Sequence, residues 1–321
     1  MATAQTLAQR RDDSWGKYDF LGVAKYITAV SVALVAISLV IIFAKGLNYG
    51  VDFAGGIEMQ VQFKGNIEAS HVRQFMTDEG FPHAIVQRIG EKNEYLIRVE
   101  SIEGKSEAET NQYVQDTVNK IKSALASKMS ADGAEVRSVE TVGPQVGAEL
   151  RRNGILAAFY CLLLILIFVG LRFDYRYAPG AVFCLFHDAI ITVGIYSLFH
   201  WEFTTQTMAA VLTIIGYSLN DTIVIFDRIR ENQAHFRDKD IYWISNRSIN
   251  ETLSRTVITY LITYMTVASM FFFADGVIRE FAIAMLIGMF LGAYSTVYVA
   301  TPLMLMLDKY QKWKKHQLQT A

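Results

Sequence analysis

Cysteines, metal-spaced histidines and nucleotide-binding loops are scarce or absent in this sequence. Only two of the 321 residues are cysteine, Cys161 and Cys184, and both lie in long apolar runs, so we expect two small buried thiols rather than a disulfide framework. The six histidines form no metal-spaced cluster, and no Gly-rich loop ends in Lys-Ser or Lys-Thr. We therefore expect no metal, no cofactor, and no ATP-driven or other enzymatic step in this chain.

An excess of either charge is also missing, since the formal net charge is -1 at pH 7. Hydrophobic residues make up 52% of the chain and the mean hydropathy is +0.24, which fits a membrane protein with a soluble part better than a wholly soluble enzyme. No cleavable signal peptide is evident, because the charged leader RRDDSWGKYDF precedes an apolar stretch about as long as a bilayer is thick. We interpret this stretch as a retained first span, and we expect no nucleic-acid partner.

Six apolar runs approach the roughly 20 residues that a helix needs to cross a bilayer core. They cover residues 25–44, 153–171, 179–199, 206–226, 256–273 and 280–307. Lys and Arg residues precede the first span, fill the second-to-third and fourth-to-fifth links and follow the last span, whereas the opposite links contain one basic residue, Arg279. The positive-inside rule therefore places both termini in the cytoplasm.

The predicted fold class is an α-helical polytopic membrane protein with six transmembrane helices and one α+β domain between the first two. The predicted divisions are a cytoplasmic segment (1–24), a first span (25–45), an extracytoplasmic domain (46–150), a five-helix membrane region (151–307) and a basic cytoplasmic tail (308–321). In the domain, IEMQVQF, HAIVQRI, EYLIRVE and AEVRSVETV have strand character, and residues 67–80 and 106–129 have helical spacing. This βαββαβ order is ferredoxin-like. The isolated His71 and His83 are interpreted as surface residues.

Polar residues interrupt the fourth span. Asp221 follows Asn220 directly, and Ser218 lies one turn earlier. A carboxylate at mid-span costs about 2.5–3.5 kcal/mol on insertion scales, so such a residue usually faces a bundle interior and has a partner. We interpret Ser218, Asn220 and Asp221 as one polar face and as a candidate ion-coupling site.

Arg255 is the candidate partner of Asp221. It opens the fifth span at a compatible depth, Thr259 continues a strip of hydroxyl side chains, and SINE (248–251) is interpreted as a capping box that starts the helix just before it. Three interpretations stay open. Arg255 holds Asp221 ionised in one state and releases it in another, forms a static ion pair with it, or extends towards the interface without meeting it.

Two further patterns lie in the third and sixth spans. His187 and Asp188 form a second ionisable pair. The pair either extends an ion path, or its two members only bond each other. Together with Asp221, Asp188 also raises the alternative of an intramembrane aspartyl protease, but the Gly-x-Gly-Asp and Tyr-Asp signatures of that class are missing. GMFLG (288–292) is a GxxxG pattern that serves either packing inside the bundle or a seam to a partner.

GVDFAGG (50–56) follows the first span and predicts a tight backbone turn there. Gly55 and Gly56 permit such a turn, and Asp52 is placed to cap or orient it. We interpret this segment either as a hinge that transmits motion between membrane and domain or as a static turn.

Six motifs follow one another along the chain. They are GVDFAGG (50–56), VGPQVGAEL (142–150), RFDYR (172–176), HDAIITVGIYSLF (187–199), IGYSLNDTIVIFDRIREN (215–232) and TLSRTVITYLITY (252–264). Taken in order, they resemble the SecF family, the smaller membrane subunits of the bacterial SecD–SecF protein-export complex. The match covers nearly the whole chain, and the ordered series is far more specific than any single motif.

The resemblance implies a bacterial inner-membrane protein with a periplasmic domain and a pseudo-symmetric partner, SecD. It also implies membership of the resistance-nodulation-division superfamily, whose transporters use proton or sodium gradients, and a central role in ion coupling for Asp221 and Arg255. Further implied partners are the SecYEG translocon, YajC and unfolded preprotein at the periplasmic face. The expected function is gradient-driven late export of preproteins, and the alternative is half of an ion-driven small-molecule exporter of the same superfamily.

Overall fold

The computed structural model describes residues 17–89, 93–100, 107–130, 132–173 and 177–320. In chain order its elements are α1 (Ala24–Lys45), β1 (Asn48–Tyr49), α2 (Val51–Ala54), β2 (Gly56–Gln62), α3 (Ala69–Asp78), β3 (Ile85–Ile89), β4 (Glu94–Glu100), α4 (Glu107–Lys128), β5 (Glu135–Val142), α5 (Pro144–Arg172), α6 (Ala178–Phe199), β6 (Glu202–Phe203), α7 (Thr205–His235), α8 (Ile241–Phe273), α9 (Gly276–Ser295) and α10 (Thr301–Thr320). A π-helical turn, Thr296–Ala300, joins α9 to α10. Residues 1–16 of the charged leader and residues 174–176 of RFDYR lie outside the described ranges.

Within the described ranges, six helical segments are long and apolar enough to cross a membrane, which confirms the six predicted spans. They are α1, α5, α6, α7, α8 and the continuous helix from α9 into α10. Four helices extend well beyond their apolar runs, because hydropathy marks only the part that suits lipid, while a helix continues through polar residues. α5 begins at Pro144 instead of 153, and α8 begins at Ile241 instead of 256. α7 continues to His235 instead of ending at 226, and α10 continues to Thr320 instead of ending at 307.

The capping box assigned to residues 248–251 is wrong. These residues lie inside α8, whose N-cap is Asp240, with its carboxylate accepting from a backbone N–H three residues later at 3.1 Å. Polar residues in this part of α8 hold the chain before α1 in place. Asn246 and Asn250 form hydrogen bonds with the backbone of Tyr18. Side-chain amides in this part of α8 therefore anchor the N-terminal segment instead of starting a helix.

The four longer strands form one antiparallel sheet in the order β3-β4-β2-β5. With α3 and α4 as its connections, this is the split βαβ arrangement that the alternating pattern predicts. Ile57, Met59 and Val61 of β2 face the two helices in a shared apolar core, so the alternate residue Glu58 faces the other side of the sheet. His71 and His83 are exposed, as expected.

The membrane helices divide into a buried group and an outer group. In their most apolar stretches, 50% of the residues of α6 and of α7 and 61% of those of the last span are buried within the chain. The corresponding share is 6% for α5, 11% for α1 and 17% for α8, so these three helices surround the others. Cys184 on α6 is buried but Cys161 on α5 is only partly buried, so the expectation of two buried thiols holds for Cys184 alone.

The GxxxG glycines of α9 face neighbours inside this chain. A Cβ atom on Gly288 would collide with Ile214 of α7, and one on Gly292 would lie 3.1 Å from the Tyr260 hydroxyl of α8. These two positions therefore permit close packing of α7, α8 and α9 against one another. Of the two interpretations of the pattern, packing inside the bundle has direct contacts to support it.

The extramembrane sheet is joined to the bundle through the segment that follows α1. There β1 pairs in parallel with β6, the two-residue strand just before α7. The Phe53 ring of α2 stacks on Phe203 of β6, with ring centroids 6.0 Å apart. Gly55 has φ +79°, and a Cβ atom at this position would lie 2.8 Å from Pro144 Cα. The Gly-Gly turn thus packs directly against the start of α5.

We expect Gly55→Ala to destabilise this junction by about 1–3 kcal/mol, because alanine is strained at this backbone angle and its methyl group has no room beside Pro144. The matched control is Gly65→Ala, where an added Cβ atom would meet nothing within 4 Å. The measurement is the thermal unfolding midpoint of the two variants in detergent. Equal midpoints would contradict the close approach of the turn to α5.

Candidate functional site

Asp221 lies on α7 in the interior of the bundle and is only 8% exposed. Its Oδ1 accepts a hydrogen bond from Thr256 Oγ1 of α8 at 2.7 Å. Its Oδ2 is also buried, and it has no hydrogen-bond partner among the residues that the structure describes. A buried carboxylate with one unpartnered oxygen is unfavourable when ionised, so this site favours a change in protonation or in partner.

Arg255 does not form an ion pair with Asp221 in this structure. Its side chain is exposed on the outer surface of α8, although its charge is near enough to Asp221 for a coulombic interaction. The next residue, Thr256, points inward and donates a hydrogen bond to the carboxylate instead. Because consecutive helical residues point about 100° apart, only one of the two can face Asp221.

Asn220 is not part of the same face as Asp221, which corrects the sequence interpretation. It is exposed, whereas Ser218 and Asp221 are buried. The side chain of Thr259 is also exposed, and only its backbone carbonyl takes part in a contact, accepting from the Tyr217 hydroxyl at 3.2 Å. We call the exposed residues Asn220, Arg255 and Thr259 the outer polar strip of α7 and α8.

Asp188 on α6 is the most completely enclosed carboxylate of the site, with no exposed surface. Its Oδ2 accepts hydrogen bonds from Ser218 of α7 at 2.7 Å and from Ser295 of α9 at 2.9 Å. Its Oδ1 lies 2.9 Å from His187 Nδ1, and Tyr294 Oη lies 3.3 Å from the other ring nitrogen. His187 and Asp188 therefore do contact each other, but the pair is also bonded to two neighbouring spans.

Several polar residues of this cluster were missed by sequence reasoning. Ser295 bonds both Asp188 and Cys184, and Thr222 of α7 lies 3.2 Å from Thr296 in the π-helical turn. The available signal was the presence of Ser and Thr in apolar runs, but such residues commonly bond their own helix backbone. Only helix rotation decides which of them reach a neighbouring carboxylate.

Asp52 contributes to the membrane region from outside it. Its Oδ2 accepts from both the backbone N–H and the hydroxyl of Thr205, at 2.9 and 2.6 Å. Thr205 is the first residue of α7 and follows its N-cap, Thr204, so Asp52 adds an acceptor to the first turn of the helix that carries Ser218 and Asp221. A carboxylate there also interacts favourably with the positive end of the helix dipole.

An ion-pair cluster joins the sheet to the same loop. Arg98 of β4 is 7% exposed and pairs with Glu58 of β2 at 2.5 Å and with Glu202 of β6. Gln87 of β3 also donates to Glu202, at 3.0 Å. A cavity of about 550 Å³ lies beside this cluster, between the sheet and the start of α9. The sheet is therefore bonded directly to the residues that precede α7.

No group of three or more His, Cys, Asp or Glu side chains in the described part of the chain could hold a metal ion. The site instead consists of two carboxylates and the hydroxyl groups around them.

The geometry described above occurs in a chain that matches two family models. Residues 121–310 match the model for the C-terminal part of the protein export membrane proteins SecD and SecF, and residues 40–67 match the model for the SecD/SecF GG motif. The six-span fold and the Gly-Gly turn thus define a protein-export membrane protein. The chain belongs to the SecD/SecF family.

Its similarity within that family is to proteins named protein translocase subunit SecF. The one from Magnetococcus marinus is 42% identical over 291 residues, covering 91% of this chain and 92% of that protein. The one from Escherichia coli O157:H7 is 36% identical over 302 residues, covering 94% and 90%.

Longer relatives named SecDF are matched over part of their length. The protein translocase subunit SecDF of Thermus thermophilus is 38% identical over 293 residues, and this chain spans 38% of it. A crystal structure of SecDF from Thermus, described as a translocon-associated membrane protein, superimposes with a TM-score of 0.79 at 38% identity, covering 91% of this chain and 39% of that one. A crystal structure of SecDF in a super-membrane-facing form gives a TM-score of 0.68.

We expect Thr256→Val to lower the free energy of unfolding by about 1–3 kcal/mol, because it removes the donor to a buried carboxylate that has no other. The matched control is Thr266→Val, since the exposed Thr266 bonds only the backbone of its own helix. Denaturant unfolding in mixed micelles measures both. Losses of equal size would show that Asp221 does not depend on Thr256.

Proposed function

We propose that this chain is an ion-coupled subunit of a protein-export complex in the bacterial inner membrane. In this proposal it works with a SecD partner and uses a proton or sodium gradient to drive late steps of preprotein export through the SecYEG translocon, with YajC as a further partner. The observation that carries the proposal is the Asp221 carboxylate, which is buried in the bundle with one oxygen bonded and the other unpartnered.

The energetics of Asp221 suit a switch driven by a gradient. Burying an ionised carboxylate at mid-span costs about 2.5–3.5 kcal/mol, and one charge moved through 100 mV yields about 2.3 kcal/mol. The gain or loss of one cation per cycle is therefore comparable with the free energy of burying the charge. Protonation also turns Oδ2 from an acceptor into a donor, so the preferred partners of Asp221 change with its state.

The outer polar strip supports a protein partner within the membrane. Asn220, Arg255 and Thr259 are exposed on this chain at the depth of the spans, and an arginine facing lipid is unfavourable. A second helical bundle packed on α7 and α8 would cover them. SecD is the proposed partner, since the SecDF relatives are longer than this chain, which covers 38% of one and 39% of the other. A partner bundle also gives Arg255 a route to Asp221, through a shift of α8 against α7.

The contacts of Asp52 and Arg98 support transmission of motion to the domain. Both residues belong to the extramembrane part, and both bind the short segment before α7. In the proposed cycle, a movement of α7 that accompanies the change at Asp221 displaces this segment and with it the sheet. The domain then grips or releases an emerging polypeptide. Asp52, Gly55 and Gly56 act in this scheme as the hinge.

The proposed orientation places residues 46–150 in the periplasm and both termini in the cytoplasm. Its support is the distribution of Lys and Arg among the links between spans. An even number of spans also returns the chain to the side from which it started.

We expect Asp221→Asn to leave membrane insertion and SecD binding intact but to abolish gradient-dependent export, because the amide cannot take up and release a cation. The matched control is Asp227→Asn on the same helix, since Asp227 is exposed and lies 3.6 Å from Arg172 in a surface ion pair. Export into inverted vesicles, with proton and sodium gradients collapsed separately, measures the effect and identifies the ion. Full gradient-dependent export by Asp221→Asn would refute the proposal.

We expect Arg255→Lys to impair export as well, because a point charge does not reproduce the planar guanidinium fork. Arg255→Ala should reduce ion flux further if the guanidinium pairs with Asp221 during the cycle. Flux through reconstituted complexes with SecD is the measurement. Wild-type flux in Arg255→Ala would remove Arg255 from the mechanism.

A further inference from the structure

Tyr260 is a buried tyrosine whose hydroxyl bonds neither Asp221 nor Asp188. It lies on α8 one turn after Thr256, and its ring packs edge-to-face on Tyr217 with centroids 5.3 Å apart. The residue is 8% exposed, and its hydroxyl has no hydrogen-bond partner among the described residues. The ring alone would satisfy the packing, so a phenylalanine would serve better if packing were its purpose.

The Tyr260 hydroxyl lies in a gap next to Ser218. A Cβ atom on Gly292 would be 3.1 Å from the Tyr260 oxygen and 3.5 Å from Ser218 Oγ, so both oxygens border the space that the missing side chain leaves. Ser218 Oγ is in turn 2.7 Å from Asp188 Oδ2. The Tyr260 hydroxyl therefore borders the same space as Ser218, which is hydrogen-bonded to Asp188.

Asp221 is the second carboxylate near Tyr260. Thr256, one turn away on the same face of α8, already bonds Asp221 Oδ1, and the unpartnered Oδ2 is buried in the same region. Tyr260 is also within electrostatic reach of both Asp221 and Asp188. The Tyr260 hydroxyl and Asp221 Oδ2 are thus two buried oxygen atoms without a hydrogen-bond partner among the described residues, and they do not bond each other directly. Unpartnered buried atoms of this kind need an explanation, and an ordered water or a transferable proton supplies one.

We propose that Tyr260 is a relay residue that passes a proton between Asp221 and Asp188. Protonated Asp221 gives its proton through a bridging water to the Tyr260 oxygen, while the Tyr260 hydroxyl proton moves through water in the Gly292 gap to Ser218 Oγ. The Ser218 proton moves directly to Asp188 Oδ2, which lies 2.7 Å away. Each hydroxyl gains one proton and loses one, so Asp221 ends ionised, Asp188 ends protonated and no other reactant is needed. This step rests on the proposed function and extends its path from α7 to α6.

The deciding variant is Tyr260→Phe, tested in the full chain reconstituted with SecD. We expect proton flux under an imposed membrane potential to fall at least tenfold, in line with the usual effect of removing a proton-transfer group, while assembly with SecD is retained. The matched control is Tyr298→Phe, which should keep full flux, because Tyr298 is a partly buried tyrosine on which no described carboxylate acts. Flux measured with a pH-sensitive dye in proteoliposomes is the readout.

A second variant tests the gap itself. Gly292→Ala places a methyl group 3.1 Å from the Tyr260 oxygen and 3.5 Å from Ser218 Oγ, in the space that both oxygens border. It should lower proton flux even if Tyr260→Phe fails to assemble. Its control is Gly170→Ala, where an added Cβ atom would meet nothing closer than 4.0 Å.

The outcomes separate the relay from the function on which it rests. Full proton flux in Tyr260→Phe, with Asp221→Asn inactive, would overturn the relay and leave the proposed function standing. Full activity of Asp221→Asn would overturn the proposed function itself. Flux carried by sodium alone, or an equal loss in Tyr298→Phe, would also contradict a proton relay through Tyr260.

Discussion

Two carboxylates buried in one helical bundle require hydrogen-bond donors, and the membrane region is arranged around that requirement. Asp188 accepts hydrogen bonds from hydroxyl groups of two other spans, and it contacts a ring nitrogen of the adjacent His187. Short hydroxyl side chains reach a carboxylate only when helices are close, so glycines such as Gly292 occur where α7, α8 and α9 meet. Among the residues that the structure describes, Asp221 has one donor, Thr256 of α8. The bundle is therefore firmly bonded around Asp188 and loosely bonded around Asp221, and the looser contact involves an outer helix.

The parts of this fold that depend on local pattern could be predicted from sequence. Long apolar runs marked the six spans, and two-residue alternation marked the four strands, because each pattern follows from burial of one element in one environment. Helix ends were less accessible, since α8 begins in polar sequence at Ile241 and its start is set by Asp240, well before the apolar run. Hydropathy has no signal for a helix that continues outside lipid.

The residue types of the candidate site could be predicted from sequence, but the contact partners of each residue could not. Asp221 and Asp188 stand out because ionisable groups in spans are rare. Whether Arg255 or Thr256 faces Asp221 depends on the rotation of α8 about its axis, which only tertiary packing fixes. The same limit explains the error over Asn220, which adjoins Asp221 in sequence and points away from it in space. The contact of Asp52 with Thr205 spans 153 positions, and no local pattern announces it.

That last contact joins the first turn of α7 to α2, the short helix that leads into the sheet. The free N–H groups of a first helical turn need acceptors, and here one of them is supplied by a residue from a distant part of the chain. A second acceptor comes from Thr204, the N-cap of α7, whose hydroxyl accepts from the Thr207 N–H at 3.3 Å. The start of this membrane helix is thus completed jointly by its own N-cap and by a carboxylate from the segment that leads into the sheet, so two regions distant in sequence share one capping network.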